Sequence, residues 1–319
     1  MKAVFLDYAT VRSEHLAIGP LEAIVSSLTL HDHTQPDQVT DRIDDADIVI
    51  VNKVQMTREI IAACGQLKLI GLIATGVDNV DLAAAKENGV AVCNIRAYCT
   101  NSVVEHVFAV LLRMTHSIES YHQGVRAGSW QDSQSFCLLD YPIRELSAMT
   151  LGIIGYGELG RAVHRMADAF GMRVRIARRL GTPVVADDGR LDFAELLERC
   201  DVITLHCPLT DATRNLIDGD ALALMQPDAL LINTARGGLV DSKALVDALA
   251  ARSIGGAAID VLTREPPVDG DALLDYRGSN LIVTPHVAWA TEEARQNAVD
   301  EVAANVESFI EGGMRNRVV

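Results

Sequence analysis

Aromatic residues are scarce in this chain of 319 residues, where phenylalanine, tryptophan and tyrosine make up 4%. Positive charge is also short, with 28 lysines and arginines against 43 aspartates and glutamates, a formal net charge of −15. That excess argues against a nucleic-acid partner, because phosphate contacts need cations. It is compatible with a small anionic ligand only where positive charge is concentrated in a pocket. Metal-ligand spacing is missing too. The six cysteines, at 64, 93, 99, 137, 200 and 207, form no C-x-x-C pair, and several lie inside apolar runs. Buried free thiols in a reducing cytoplasm are therefore expected, with no disulfide and no metal site. No apolar stretch reaches membrane-spanning length, so no membrane association is expected. The opening MKAVFLDYAT lacks the apolar core and cleavage site of a signal peptide.

Apolar residues, by contrast, are plentiful at 49%, enough for a large core, and the length suits two domains. The chain is organised around TLGIIGYGELGRAV, residues 150 to 163. Leu151 to Ile154 is an apolar run without alternation, as expected of a parallel strand covered on both faces. Gly155, Gly157 and Gly160 follow at once, and a helix opens behind them. This G-x-G-x-x-G between strand and helix is the arrangement of a dinucleotide site. The first glycine permits the tight turn, the second lets backbone approach a pyrophosphate, and the third lets helix and strand pack. The helix N-terminus adds free N–H groups and partial positive charge.

Upstream, strands are expected at 3–6, within 44–53, at 67–76 and at 89–95, and helices at 16–28, 58–64 and 80–88. A long amphipathic helix is expected over 101–116, and an arm or linker over 117–149. Downstream, strands are expected at 173–177, 202–205, 229–232, 256–260 and 281–283, with helices at 192–199, 218–225, 242–251 and 291–311. This β-α alternation predicts two doubly wound α/β domains, the second binding the nucleotide.

Three stretches carry candidate chemistry. INTARGGLVD (232–241) places Arg236 just beyond a strand, DVLTREPP (260–267) places Glu265 in a loop, and VTPHVAWAT (283–291) places His286 after the last strand. All three follow strand carboxyl ends, where open α/β sheets receive ligands. With ATGVDNVD (74–81), NSVVEH (101–106), GYGELG (155–160), HCPLT (206–210) and NTARGG (233–238), the sequence resembles the D-2-hydroxyacid dehydrogenase family over essentially its whole length. CNIRAYCTNSVVEH and PHVAWAT are most like its glycerate dehydrogenase/hydroxypyruvate reductase branch.

The resemblance implies a Rossmann-type domain over 99–287 and a smaller flavodoxin-like substrate domain made of 1–98 and 288–319. It implies hydride transfer from a nicotinamide to a small anionic 2-oxo acid such as hydroxypyruvate or glyoxylate. Arg236 would grip carboxylate or carbonyl oxygen, His286 would protonate the developing alkoxide, and Glu265 would orient His286. Gly76 and Val77, beside Thr75, would add N–H contacts to the carboxylate. Trp289 is expected to line the substrate pocket or a domain seam, with burial as plain core the alternative. Cofactor contacts would include Val103, Glu158, Leu159, His206, Cys207, Pro208, Thr234, Ala235, Arg236, Asp260 and His286. A homodimer through the 101–116 helix and the following arm is also implied. The other class of function on this fold is a nucleotide-sensing corepressor. One departure concerns the cofactor. Where an NAD enzyme places an acid on the ribose hydroxyls, this chain carries Arg178 and Arg179. That substitution predicts that NADP(H) is preferred, with NAD(H) left open as a second cofactor.

Overall fold

A computed structural model describes residues 1–182 and 189–319. They form two compact units, Met1–Cys99 with Ala290–Val319, and Thr100–Trp289.

The first unit holds a five-stranded sheet of β1 (Lys2–Phe5), β2 (Ser27–Leu30), β3 (Ile48–Val51), β4 (Leu69–Leu72) and β5 (Ala91–Cys93). All pairs are parallel, in the flavodoxin-like order β2-β1-β3-β4-β5. Every residue of β3 and β4 is buried, which explains the absence of polar alternation in their sequences. The helix Glu292–Ile310 packs on β4. Gly71 makes room for it, since a Cβ there would stand 3.3 Å from Val302. Val4, Val49, Ile70 and Val92 belong to a core shared with Ile43, Ile61 and Ala84 from the helices Val39–Ile43, Arg58–Ala63 and Leu82–Glu87. Residues 316–319 lie against β5 through bonds such as Val318 N–H to Val92 carbonyl, 2.7 Å.

One expected helix is cut short. Within 16–28 only Gly19–Ile24 is helical, and Ser27–Leu30 pairs with β1 from Lys2↔Ser27 to Phe5↔Leu30. Leu28 and Leu30 are only half-buried on this edge strand, so its local pattern is weak and pairing with β1 decides its conformation.

Between β1 and β3 the strand order reverses, which in open α/β sheets is a ligand crevice. Here the protein fills it. The buried Asp7 carboxylate accepts the N–H groups of Asn52, Lys53 and Val54 at 2.6 to 3.1 Å.

The second unit is built on β6 (Thr150–Ile154), β7 (Arg173–Ala177), β8 (Arg190–Leu191), β9 (Val202–Leu205), β10 (Leu230–Asn233), β11 (Gly256–Ile259) and β12 (Leu281–Val283). The parallel order β12-β11-β10-β9-β6-β7-β8 is the Rossmann arrangement with a seventh strand added at one edge. The helix Thr100–Thr115 buries Val103, Val104, Val107, Phe108 and Leu111 along one stripe. The expected arm contains a helix of its own, Ile118–Arg126, and the short β8 was not foreseen.

None of the six cysteines forms a disulfide, and burial pushes the Cys200 thiol up to about 12. Among the described residues no cluster of potential metal ligands occurs, and no helix is long and apolar enough to cross a membrane.

Candidate active site

The switch point of the second sheet lies between β6 and β9, and the glycine-rich turn leaves β6 there. Gly155 has φ +97°, and a Cβ on it would stand 2.4 Å from the His206 carbonyl carbon. At Gly160 a Cβ would stand 2.1 Å from the Gly155 carbonyl oxygen. Both glycines are demanded by the protein's own backbone. Gly157 differs, for nothing lies within 4 Å of its Cβ position. It caps the helix Glu158–Ala169 and faces open space at that helix's N-terminus. This is the cradle a pyrophosphate requires. Glu158 bonds the Thr100 hydroxyl, and Leu159 continues the first turn.

His206 and Cys207 back this turn from the end of β9, followed by exposed Pro208. Burial pushes the His206 imidazole down to about 4, so the ring is neutral at pH 7. Its Nε2 meets the buried Thr204 hydroxyl at 3.0 Å, while Nδ1 is buried without a partner. The Thr234 hydroxyl is likewise buried and unpartnered. Two orphaned polar atoms and an open glycine cradle fit the polar edges of a dinucleotide.

Arg178 directly follows β7, where the acid of an NAD site would stand. Its side chain, 10% exposed, pairs with Asp192 at 3.0 Å and donates to the Arg190 carbonyl at 3.3 Å. Arg179 is exposed, and the Arg190 guanidinium lies 5.8 Å from the centre of the Tyr156 ring. The cation directed outward at the strand end is thus Arg179, with Arg178 engaged inward.

The candidate catalytic residues are fixed by a run of backbone clamps. β10 ends in buried Asn233, whose amide donates to the Arg236 carbonyl at 2.9 Å and accepts the Ala235 N–H at 3.0 Å. That closes the turn Thr234–Arg236, in which Arg236 is half-buried. Gly237 lets the turn pack on Leu262, where a Cβ would meet the carbonyl carbon at 2.0 Å. After β11, the Asp260 carboxylate, 2% exposed as a residue, accepts the N–H groups of Val287 and Ala288 at 2.9 Å and the Thr284 hydroxyl at 2.5 Å. Its carbonyl accepts the His286 N–H at 2.7 Å. These bonds accompany a φ of +55° at His286, a conformation uncommon for non-glycine residues.

His286 Nδ1 lies 2.5 Å from Glu265 Oε2, and Glu265 Oε1 accepts the Leu262 N–H at 2.8 Å. The pairing assigns a hydrogen to Nδ1 and leaves Nε2 for a substrate. Arg236, Glu265 and His286 are therefore held by neighbouring loops of one sheet edge.

In the first unit β4 runs into Thr75, Gly76 and Val77. Among the described residues, their three N–H groups make no hydrogen bond, and the loop is exposed or half-exposed. Successive free N–H groups suit an anion. Trp289 is half-buried and ends the second unit.

Sequence reasoning passed over Asp7, Asn94 and Asn233. Three apolar runs, VIVN, AVCN and LLIN, end in an asparagine, and Asn52, Asn94 and Asn233 are all buried. The Asn94 and Asn233 amides clamp backbone, and the Asn52 amide donates to the Thr10 hydroxyl, so a polar amide closing an apolar run marks a buried hydrogen bond.

Residues 108–288 match the family described as D-isomer specific 2-hydroxyacid dehydrogenase, NAD binding domain. The chain is 47% identical to a glycerate dehydrogenase of Methylorubrum extorquens, covering 89% of this chain and 88% of that protein. The chain belongs to the D-2-hydroxyacid dehydrogenase family. A hydroxypyruvate reductase of Blautia hydrogenotrophica is 36% identical over 100% of this chain and 99% of its own. Among solved structures, an acyclic imino acid reductase in complex with NADPH and D-Arg superposes with a TM-score of 0.84, at 30% identity over all of both chains. This dehydrogenase is accordingly a nicotinamide-dependent oxidoreductase acting on CH–OH donors. All three of these proteins are named for catalysis, which disfavours the corepressor alternative.

Proposed function

We propose that this dehydrogenase reduces hydroxypyruvate to D-glycerate and glyoxylate to glycolate, with NADPH as preferred cofactor. The observation that carries this reading is the His286–Glu265 pair, which stands after the same sheet's strands as Arg236. When bound, the nicotinamide supplies the hydride. Arg236 binds and polarises the oxo acid through its planar guanidinium. Thr75, Gly76 and Val77 offer N–H groups to the carboxylate. His286 Nε2 gives a proton to the carbonyl oxygen as it gains charge, and Glu265 stabilises the imidazolium that must precede this transfer. Asp260 keeps the His286 loop in place, with both oxygens already engaged by protein donors. The test is reduced-cofactor oxidation across a panel of 2-oxo acids. Hydroxypyruvate and glyoxylate should lead the panel, and no turnover with any member would reject the reading.

The preference for NADPH is supported by arginines rather than an acid at positions 178 and 179, directly after β7, and by the exposure of Arg179. One charge-assisted contact to a 2′-phosphate contributes about 1.5–3 kcal/mol, or about ten- to hundredfold in binding, less screening at an exposed site. The kcat/KM ratio of NADPH to NADH should fall about tenfold in Arg179→Ala. Arg178→Ala should change it less, because that guanidinium is already paired with Asp192. A wild type that favours NADH, or an unchanged ratio in Arg179→Ala, would remove the phosphate-reading role.

We also infer a homodimer in a reducing cytoplasm, consistent with six cysteines that form no disulfide. The segment after the helix Thr100–Thr115 exposes Ile118, Trp130, Phe136, Leu139 and Ile143, with Phe136 at 91%, an apolar surface that a second copy would cover. Sedimentation equilibrium should give twice the 34.4 kDa of the chain, and a monomer mass would reject the dimer.

A further inference from the structure

We infer that Asn94 is a positioning residue for the substrate carboxylate, acting by fixing the direction of the Gly76 N–H. Asn94 follows β5 and is buried. Its Nδ2 donates to the Thr75 carbonyl at 2.7 Å, and the Ile95 N–H donates to the Ala74 carbonyl at 3.1 Å. In a planar trans peptide, the carbonyl and the N–H that follows it point in opposite directions. Holding the Thr75 carbonyl on the β5 side therefore aims the Gly76 N–H away from β5. The Ile95 bond does the same for the Thr75 N–H. Neither N–H is used by the protein among the described residues.

The Thr75–Gly76 peptide needs such a clamp more than most. Glycine adopts positive and negative φ with similar ease, so a peptide that precedes it resists flipping weakly. Asn94 is itself braced on both sides. Its carbonyl accepts Asn305 Nδ2 at 2.8 Å, and its N–H donates to the Asn316 carbonyl at 3.3 Å. Asn305 Oδ1 in turn accepts from Arg315 at 2.6 Å and Asn316 at 3.1 Å, and Arg315 pairs with Glu301 at 2.7 Å. Asn94 Oδ1 is buried and unpartnered, so the amide gives up half of its bonding capacity to keep the Thr75 contact. A position chosen for packing alone would hold an apolar side chain.

This inference rests on the reading of Thr75–Val77 as the carboxylate seat, and the test separates the two. Asn94→Ala removes the donor, and Asn94→Asp keeps the shape while losing both Nδ2 hydrogens. In each, KM for the 2-oxo acid and Ki for oxamate, a carboxylate-bearing analogue, should rise about tenfold or more, as for one lost charge-assisted bond. Turnover at saturation and KM for the reduced cofactor should stay within about twofold, a split that general loosening of the first unit would not give. Unchanged KM and Ki, or a parallel decline of kcat, cofactor KM and Tm, would overturn the inference. Gly76→Pro deletes the N–H itself. If it weakens oxamate while both Asn94 variants do not, the seat stands and the role of Asn94 falls. If none of the three variants moves oxamate, the seat itself is wrong.

Discussion

Replacing His286 with alanine is expected to lower kcat by about 10²- to 10⁴-fold, the range for removal of a general acid. The ring is the group whose free nitrogen can meet a carbonyl oxygen, because Glu265 already occupies Nδ1 at 2.5 Å. Cofactor binding should survive, since the glycine-rich turn that holds the pyrophosphate follows β6 and not β12. Stopped-flow single turnovers with saturating reduced cofactor isolate the step that should slow. Glu265→Gln should cost less in rate, as a neutral amide can still accept from Nδ1–H and orient the ring. Wild-type turnover in His286→Ala would end the acid/base assignment. A loss matched by failure of cofactor binding would mean that the loop, not the ring, was damaged.

The glycine-rich turn offers a second large effect, and one that divides by position. Gly157→Ala puts a methyl group into open space, so the unliganded protein should melt as wild type does. Cofactor dissociation constants should nevertheless rise on the order of 10²-fold, because that space is where the pyrophosphate must meet backbone N–H groups. Gly160→Ala instead drives a methyl group to 2.1 Å from the Gly155 carbonyl oxygen. Overpacking costs about 1–3 kcal/mol, and at this size each kcal/mol corresponds to about 2–4 °C in Tm. Fluorescence titration of reduced cofactor and a thermal melt without ligand read the two variants independently. Wild-type affinity in Gly157→Ala, or an unchanged Tm in Gly160→Ala, would contradict this division.

The glycine-rich turn was legible because its requirements are local: a strand, a sharp turn and a helix start need those residues at those spacings. Strands such as Ile48–Val51 were legible because burial on both faces leaves unbroken aliphatic runs. The edge strand Ser27–Leu30 was not, since half-buried leucines fit a helix as well and only β1 decides. Arg178 shows the same limit at a side chain. Counting from the glycines reaches the end of β7, but Asp192, which draws the guanidinium inward, lies beyond the two-residue strand β8 that no pattern announced. The clamps of Asp7 and Asn94 close across 45 and 19 positions respectively, and no periodicity encodes a partner at such a distance.

The helix Glu292–Ile310 also sets a timetable for the nascent chain. Its contacts with β4 belong to a unit whose other part ends at Cys99, and about 190 residues intervene. At about 5–20 residues per second, a ribosome needs roughly 10–40 s to make them. Throughout that interval the apolar face of β4 that Val302 will cover has emerged without its partner, while the intervening residues, Thr100–Trp289, are all available to collapse among themselves. The second unit can thus mature before the first during synthesis, and the waiting sheet is the natural client for a chaperone.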